Sequence, residues 1–208
     1  LWRQLWPMEA EVAMPQWVYG MSTSSAAGKK ILTANCQQGS WRLSLFSLDG
    51  GVVNLKQPFD DLSYVHADDA GRAVIIGSSP IKGSGLLEVD LNIGSWHHTP
   101  SSQSFLEKDK ISVGESFWFD GFGGQPTQSC YYPPIPESKS TSPLLVKIHS
   151  GPTSMANHGL NLDIQFWTSR GWGVVDVNYG GSTGFGREYR NRLEKSWGEV
   201  DVFDCVAA

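Results

Sequence analysis

The sequence predicts a mixed fold, an all-β half followed by the beginning of an α/β half. Three observations carry this reading. From Trp17 to about Ser102, short apolar runs alternate with turn residues and no helical period competes; residues 130 to 145 are rich in Pro and Ser; beyond them strand-like and helix-like runs alternate.

In the first half, "WVYGM", "KKILTANC", "WRLSLFSLD", "GVVNL", "LSYVHADD", "RAVIIGSS" and "LLEVDL" are strands of ordinary length, punctuated by glycine and aspartate. The segment also echoes itself. Gly28-Lys29-Lys30-Ile31-Leu32 and Gly71-Arg72-Ala73-Val74-Ile75 align at an offset of 43, with "SLFSLDG" and "LEVDLN" following at similar distances. A four-strand unit repeating at roughly 40 to 50 residues is the period of a β-propeller blade. Two such units cannot close a ring, so residues 1–129 are expected to form part of a propeller. A small antiparallel sheet with two hairpins alike by chance is the alternative.

The next stretch, "CYYPPIPESKSTSPLL", reads as a boundary, with a linker over 130–143 and extended backbone around Pro133, Pro134 and Pro136. Residues 144–208 then change character. Leu144 to His149 is a compact strand, and Leu160 to Trp167 places Leu160, Ile164 and Trp167 on one helical face that ends at Arg170-Gly171. "GVVDVNY" is a second strand. Phe185, Tyr189, Leu193 and Trp197 repeat every four residues along a second helix, with Glu188 placed to pair with Arg192 and Gly198 as a stop. Strand, helix, strand and helix in short order imply a parallel or mixed sheet with crossovers. A further helix begins in "DVFDCVAA", and a start at Leu1 together with that ending reads as a piece of a longer protein.

Composition narrows the function classes. With 208 residues and 40% apolar content the chain can bury one sizeable core or two modest ones. The net charge of -5 is mild, and the basic residues are scattered except for Arg187, Arg190, Arg192 and Lys195, so a nucleic-acid partner has little electrostatic support. Cys36, Cys130 and Cys205 are odd in number and far apart, which fits reduced thiols in the cytoplasm better than disulfides or a metal site. No apolar run approaches a membrane span, and "LWRQLWPMEA" lacks the regions of a signal peptide.

Two loops could carry chemistry. Gly180-Gly181-Ser182-Thr183-Gly184 fits G-x-S-x-G, the elbow that presents the nucleophile of α/β-hydrolases, and it lies between a strand and a helix. The helical period begins only near Phe185, however, and no histidine follows Ser182, whereas the triad of that fold runs Ser, acid, His. His149 and His158 precede it, and a histidine at a strand end is commonly a packing residue. The same glycines could cradle a phosphate, but "GGSTGFG" has neither the G-x-G-x-x-G order nor a G-K-[ST] ending, so a tight turn is the simpler reading. The other loop, "KIHSGPTS", directly follows the first α/β strand, where hydrolases of this fold draw a backbone N–H for the oxyanion hole.

Together, "LLVKIHSGPTS", "FWTSRGWGVVDVNYGGSTGFGREYRNRL" and "WGEVDVFDC" closely resemble the acylaminoacyl-peptidase and dipeptidyl-aminopeptidase branch of the prolyl oligopeptidase family of serine peptidases. The resemblance is strong over residues 144 to 205 and architectural before that. It implies a partial β-propeller over residues 1–129, holding C-terminal blades, and the N-terminal part of an α/β-hydrolase domain from residue 144, truncated before the catalytic Ser, Asp and His. "NYGGSTGFG" then corresponds to a structural loop of the family, and Ser182 is not the nucleophile. Gly151 corresponds to the second glycine of the family's "HGGP" and would donate its backbone N–H to the oxyanion; Ser150 departs from the pattern at the first glycine. A glycine that simply makes a tight turn is the alternative.

The implied parent is a serine exopeptidase acting on short peptides through an acyl-enzyme, with no cofactor or metal. An inactive truncated hydrolase serving as an interaction module is the rival reading. Neither nucleic acid nor membrane is expected as a partner, and open sheet edges lead us to expect association into a homo-oligomer.

Overall fold

The computed structural model describes residues 4–15, 17–102, 106–136, 141–151 and 153–208. Two four-stranded antiparallel meanders come first. One holds β1 (Ser24–Ala27), β2 (Lys30–Gln37), β3 (Ser40–Ser47) and β4 (Val52–Leu55); the next holds β5 (Asp61–Ala67), β6 (Arg72–Ser79), β7 (Lys82–Asp90) and β8 (Ser95–Pro100). These are the repeated blade units that the echo predicts. Gly28 (φ 61°) and Gly71 (φ 85°) occupy the turns between the first two strands of each unit, where left-handed backbone favours glycine.

The blades share one core. Leu32, Leu43 and Leu45 from the first pack against Phe59, Leu62, Val65, Ile75 and Leu87 of the second segment. The opposite face of the first blade is polar but satisfied, since Asn35 donates to Ser44 and the Ser44 hydroxyl to Asn54.

A third sheet has the order β11-β12-β10-β9, from β9 (Glu115–Asp120), β10 (Pro126–Tyr132), β11 (Leu144–Ile148) and β12 (Gly173–Asn178). β11 and β12 are parallel and the other pairs antiparallel. All six residues of β12 are buried, the polar Asp176 and Asn178 included: Asp176 pairs with Lys147, and the Asn178 side-chain amide donates to Gln128 and accepts from Ala156 N–H. Helix α1 (Leu162–Thr168) sets Ile164 against Val174, Cys130 and Tyr132 on one face of the sheet. On the other face, Leu193 and Val200, the latter from helix α3 (Val200–Ala207), cover Val175 and Val177.

This half of the chain bears on two expectations. The boundary expected between residues 129 and 130 falls inside β10, so residues 115–132 lie in the α/β sheet and not in a blade. Locally a hairpin closed by Gly121, Gly123 and Gly124 looks like any blade hairpin, and its partner β12 lies some 40 residues further on. The linker expected over 130–143 as a surface connection is anchored where Ile135 N–H donates to Thr168 C=O of helix α1. Residues 137–140 of it lie outside the described residues.

The first helix begins at Leu162, where Asn161 caps it by accepting from Asp163 and Ile164 N–H; Leu160 stays outside and donates its N–H to Ser79 of the second blade. The second helix, α2 (Arg187–Asn191), is only five residues long. Gly186 before it and Lys195 after it both have positive φ, so the four-residue period of Phe185, Tyr189, Leu193 and Trp197 spans a loop, one turn and another loop. Arg192 does not pair with Glu188. It donates to Pro126 C=O and lies 4.1 Å over the Tyr189 ring.

Two clasps join the blades to the α/β half. Glu11, which bridges Cys36 through backbone bonds, accepts from Arg190 (2.7 Å) and from the N–H of Gly184 (2.7 Å). Asp61 accepts from His158 N–H (3.3 Å) and from Gly159 N–H. A Cβ on Gly159 would collide with Ser78 and Asp61, so glycine permits this approach.

Candidate functional site

Because β11 and β12 are parallel neighbours, with Ile148 opposite Val177, the loops that leave them emerge side by side at one edge of the sheet. In open α/β sheets this carboxyl edge is where ligands meet the fold. Each loop holds one of the residues singled out from the sequence.

In the loop after β12 the N–H groups of residues 180–184 are all engaged within the protein. Gly180 donates to Asp204, Gly181 to Tyr189, Ser182 to Tyr179, Thr183 to Ser154 and Gly184 to Glu11. Its glycines serve packing instead: a Cβ on Gly181, where φ is 120°, would strike the Leu193 side chain.

Ser182 is fully buried. Its hydroxyl donates to Tyr179 C=O at 2.8 Å and lies 2.7 Å from Nε2 of His149. The sequence reading set His149 aside as a packing residue and did not foresee that the two loops bring it to Ser182. The parallel register of the strands is the signal that could have found this contact.

A serine hydrogen-bonded to a histidine resembles half a triad, but the rest is missing. Nδ1 of His149 faces Ser150 C=O at 3.5 Å and the Tyr179 hydroxyl at 3.4 Å, and among the described residues no carboxylate orients the ring. The buried hydroxyl is also closed to substrate. Burial holds the imidazole below its ordinary pKa, assisted by the charge of Lys147, and the ring stacks on Tyr179 at 4.4 Å and 18°.

Gly151 stands at the mouth of this arrangement. Its φ is 70°, a Cβ there would meet nothing within 4 Å, and the residue is exposed. The need for glycine therefore lies in its left-handed backbone; clearance from the chain's own atoms does not require it. Its carbonyl accepts from the Tyr179 hydroxyl at 2.8 Å, and among the described residues nothing accepts from its N–H. Pro152, expected to restrict the loop, lies outside the described residues.

Beneath the loops, Lys147 pairs with Asp176 at 2.6 Å across the two parallel strands. Burial raises the Asp176 carboxyl pKa while Lys147 opposes the shift, and one carboxylate oxygen has no partner among the described residues. The three cysteines are free, and burial pushes Cys36 up to about 12 and Cys130 and Cys205 up to about 11, so none is a thiolate near neutrality. Among the described residues no helix is long and apolar enough to cross a membrane.

The prolyl oligopeptidase family profile matches residues 158–208. A puromycin-hydrolyzing peptidase of Mycobacterium tuberculosis has a similar solved structure, with a TM-score of 0.90 and 31% identity, covering 97% of this chain and 32% of that one. The uncharacterized peptidase YuxL of Bacillus subtilis is 26% identical over 174 residues, which are 82% of this chain and 26% of the relative. Dipeptidyl aminopeptidase BIII of Pseudoxanthomonas mexicana is 36% identical over 67 residues, 31% of this chain and 10% of the relative. The chain thus spans about a third or less of the length of the proteins it matches.

Proposed function

Since the chain belongs to the prolyl oligopeptidase family, with residues 158–208 matching its profile, we propose that it supplies propeller blades and the first part of the catalytic domain of a serine exopeptidase. The substrates are short peptides, from whose N-termini the whole enzyme removes acylated amino acids or dipeptides. We assign the blades to the strands up to Pro100 and the catalytic unit to the strands from Glu115 onward.

The observation that carries the reading is the Gly151 N–H at the carboxyl edge of the sheet, which finds no acceptor among the described residues. In acyl transfer the serine oxygen attacks the carbonyl carbon, and the C=O electron pair moves onto oxygen. The Gly151 N–H donates to that oxyanion; collapse expels the amine, to which the base that took the serine proton delivers it, and leaves an acyl-enzyme that water hydrolyses. One such donor contributes about 100- to 1000-fold in kcat. Three free cysteines support a reducing compartment such as the cytoplasm. The exposed Leu144, Val146 and Ile148 on the edge strand β11 support self-association.

The test must delete one N–H and nothing else. Gly151→Pro is unsuitable, because proline holds φ near about -65° whereas Gly151 sits at 70°. Replacing Gly151 by glycolic acid in the intact enzyme turns the amide into an ester and leaves the conformation accessible. With N-acetylalanyl and dipeptidyl p-nitroanilides, kcat should fall about 100-fold or more with little change in KM. A fall within about threefold would remove Gly151 from the oxyanion site. Cleavage only within end-blocked peptides would overturn the exopeptidase reading, and no cleavage of any peptide would favour an interaction module.

A further inference from the structure

We propose that Ser182, His149 and Tyr179 form a brace that fixes the direction of the Gly151 N–H, so that Ser182 and Tyr179 are positioning residues for catalysis. The inference rests on Gly151 being the oxyanion donor. It gives a use to the buried serine of the G-x-S-x-G motif, which takes no part in bond making.

The brace starts in the turn after β12. Ser182 N–H and the Ser182 hydroxyl both donate to Tyr179 C=O, at 3.0 and 2.8 Å, so this serine cannot drift relative to the strand end. With its proton on that carbonyl, the hydroxyl accepts from Nε2–H of His149 at 2.7 Å. Stacking on Tyr179 fixes the remaining freedom of the imidazole ring.

The ring in turn lies beside the loop. Ser150 C=O is 3.5 Å from Nδ1, on the ring's side. In a trans peptide the C=O and N–H of one unit point in opposite directions, so the Gly151 N–H of the same unit is directed away from the ring and outward. The following unit is held separately, because the Tyr179 hydroxyl donates to Gly151 C=O at 2.8 Å and also approaches His149 C=O at 3.3 Å. With the proton on Nε2, Nδ1 is an acceptor and makes no hydrogen bond to Ser150 C=O, so that unit is limited only by its place against the ring, whereas the unit after the Gly151 Cα, with its left-handed φ of 70°, is tied to β12 by the Tyr179 hydroxyl. Such pinning matters because a misplacement on the order of 1 Å can cost about 100-fold in rate.

The decisive experiment is a double-variant cycle in the intact enzyme. Tyr179→Phe keeps the ring that stacks on His149 and removes only the hydroxyl that holds Gly151 C=O. It should lower kcat about 10- to 100-fold, leave KM within about threefold, and weaken a peptidyl trifluoromethyl ketone, whose adduct carries the oxyanion, in the same proportion as kcat. In enzyme carrying glycolic acid at position 151, Tyr179→Phe should change kcat by less than about twofold, since the N–H it orients is gone. Ser182→Ala, which frees the ring but leaves the Tyr179 hydroxyl in place, should lower kcat in the same direction by less than Tyr179→Phe does, and should change kcat by less than about twofold in the ester enzyme. Equal losses in the amide and ester enzymes, or a loss in KM alone, would overturn the brace. Ester enzyme that loses activity beside a Tyr179→Phe enzyme that does not would overturn the brace while leaving Gly151 as donor. An ester enzyme with undiminished kcat would remove Gly151 itself.

Discussion

Replacing Glu11 by alanine should destabilise the chain more than replacing the arginine it pairs with. Glu11 has a side chain 12% exposed and Arg190 one 35% exposed, so the ion pair is screened and is worth about 1 kcal/mol at most. The other carboxylate oxygen is the acceptor for Gly184 N–H, which is buried and has no second acceptor among the described residues. An orphaned buried N–H costs about 1–3 kcal/mol. Glu11→Ala therefore loses about 2–4 kcal/mol and Arg190→Ala about 1 kcal/mol. For a chain of this size, at roughly 2–4 °C per kcal/mol, Glu11→Ala should lower Tm by about 4–16 °C in a fluorescence melt at low protein concentration. Glu11→Gln should fall between the two, because an amide offers one acceptor to two donors. A Glu11→Ala shift under about 2 °C, or one no larger than that of Arg190→Ala, would refute the reasoning.

Ser182 is sealed from solvent, so the 208-residue chain should not be labelled at this residue by a fluorophosphonate; labelling that disappears in Ser182→Ala would contradict that. With β11 an edge whose Leu144, Val146 and Ile148 are exposed, the chain should associate in sedimentation velocity at micromolar concentration, and a concentration-independent monomer would count against it. Stability should also depend on His149. Its folded pKa lies below the unfolded value of about 6.5, so its contribution is intact above that value and is lost as pH falls from there toward the folded pKa. Asp61 and Asp176, raised by burial, act in the opposite sense as they take up protons in acid, so the comparison is with His149→Gln, whose denaturation midpoint should fall less steeply below pH 6.5. Identical slopes would exclude His149 as the source.

The sequence foretold these parts unequally, for physical reasons. The blades were legible because Gly28 and Gly71 mark equivalent turns and every strand pairs with its neighbour in the chain. β12 was legible as a strand from its β-branched Val174, Val175 and Val177, whereas the burial of Asp176 and Asn178 beside them depends on partners that no local pattern shows. The hairpin of β9 and β10 was assigned to the wrong half, since its own residues do not encode a partner as distant as β12. The long second helix failed at Gly186 and Lys195, whose backbone angles no apolar period reveals. At the site, Gly151 and Ser182 could each be singled out from local motifs, but the contact between Ser182 and His149 exists only because two parallel strands end together.

The place of β10 in its sheet bears on how the chain emerges from the ribosome. Tyr132, at the end of β10, meets Val174, which is made 42 residues later. At about 5–20 residues per second, the hairpin of β9 and β10 therefore waits roughly 2–8 s with Phe117, Phe119 and Tyr131 lacking the strand and side chains that later cover them. Each blade pairs its own consecutive strands as they are made, so these blades can fold vectorially, whereas the α/β sheet must hold an apolar hairpin in reserve. Slowing synthesis between residues 132 and 174 would lengthen that exposure. The interval is the point in biosynthesis at which a nascent-chain chaperone would have most to bind.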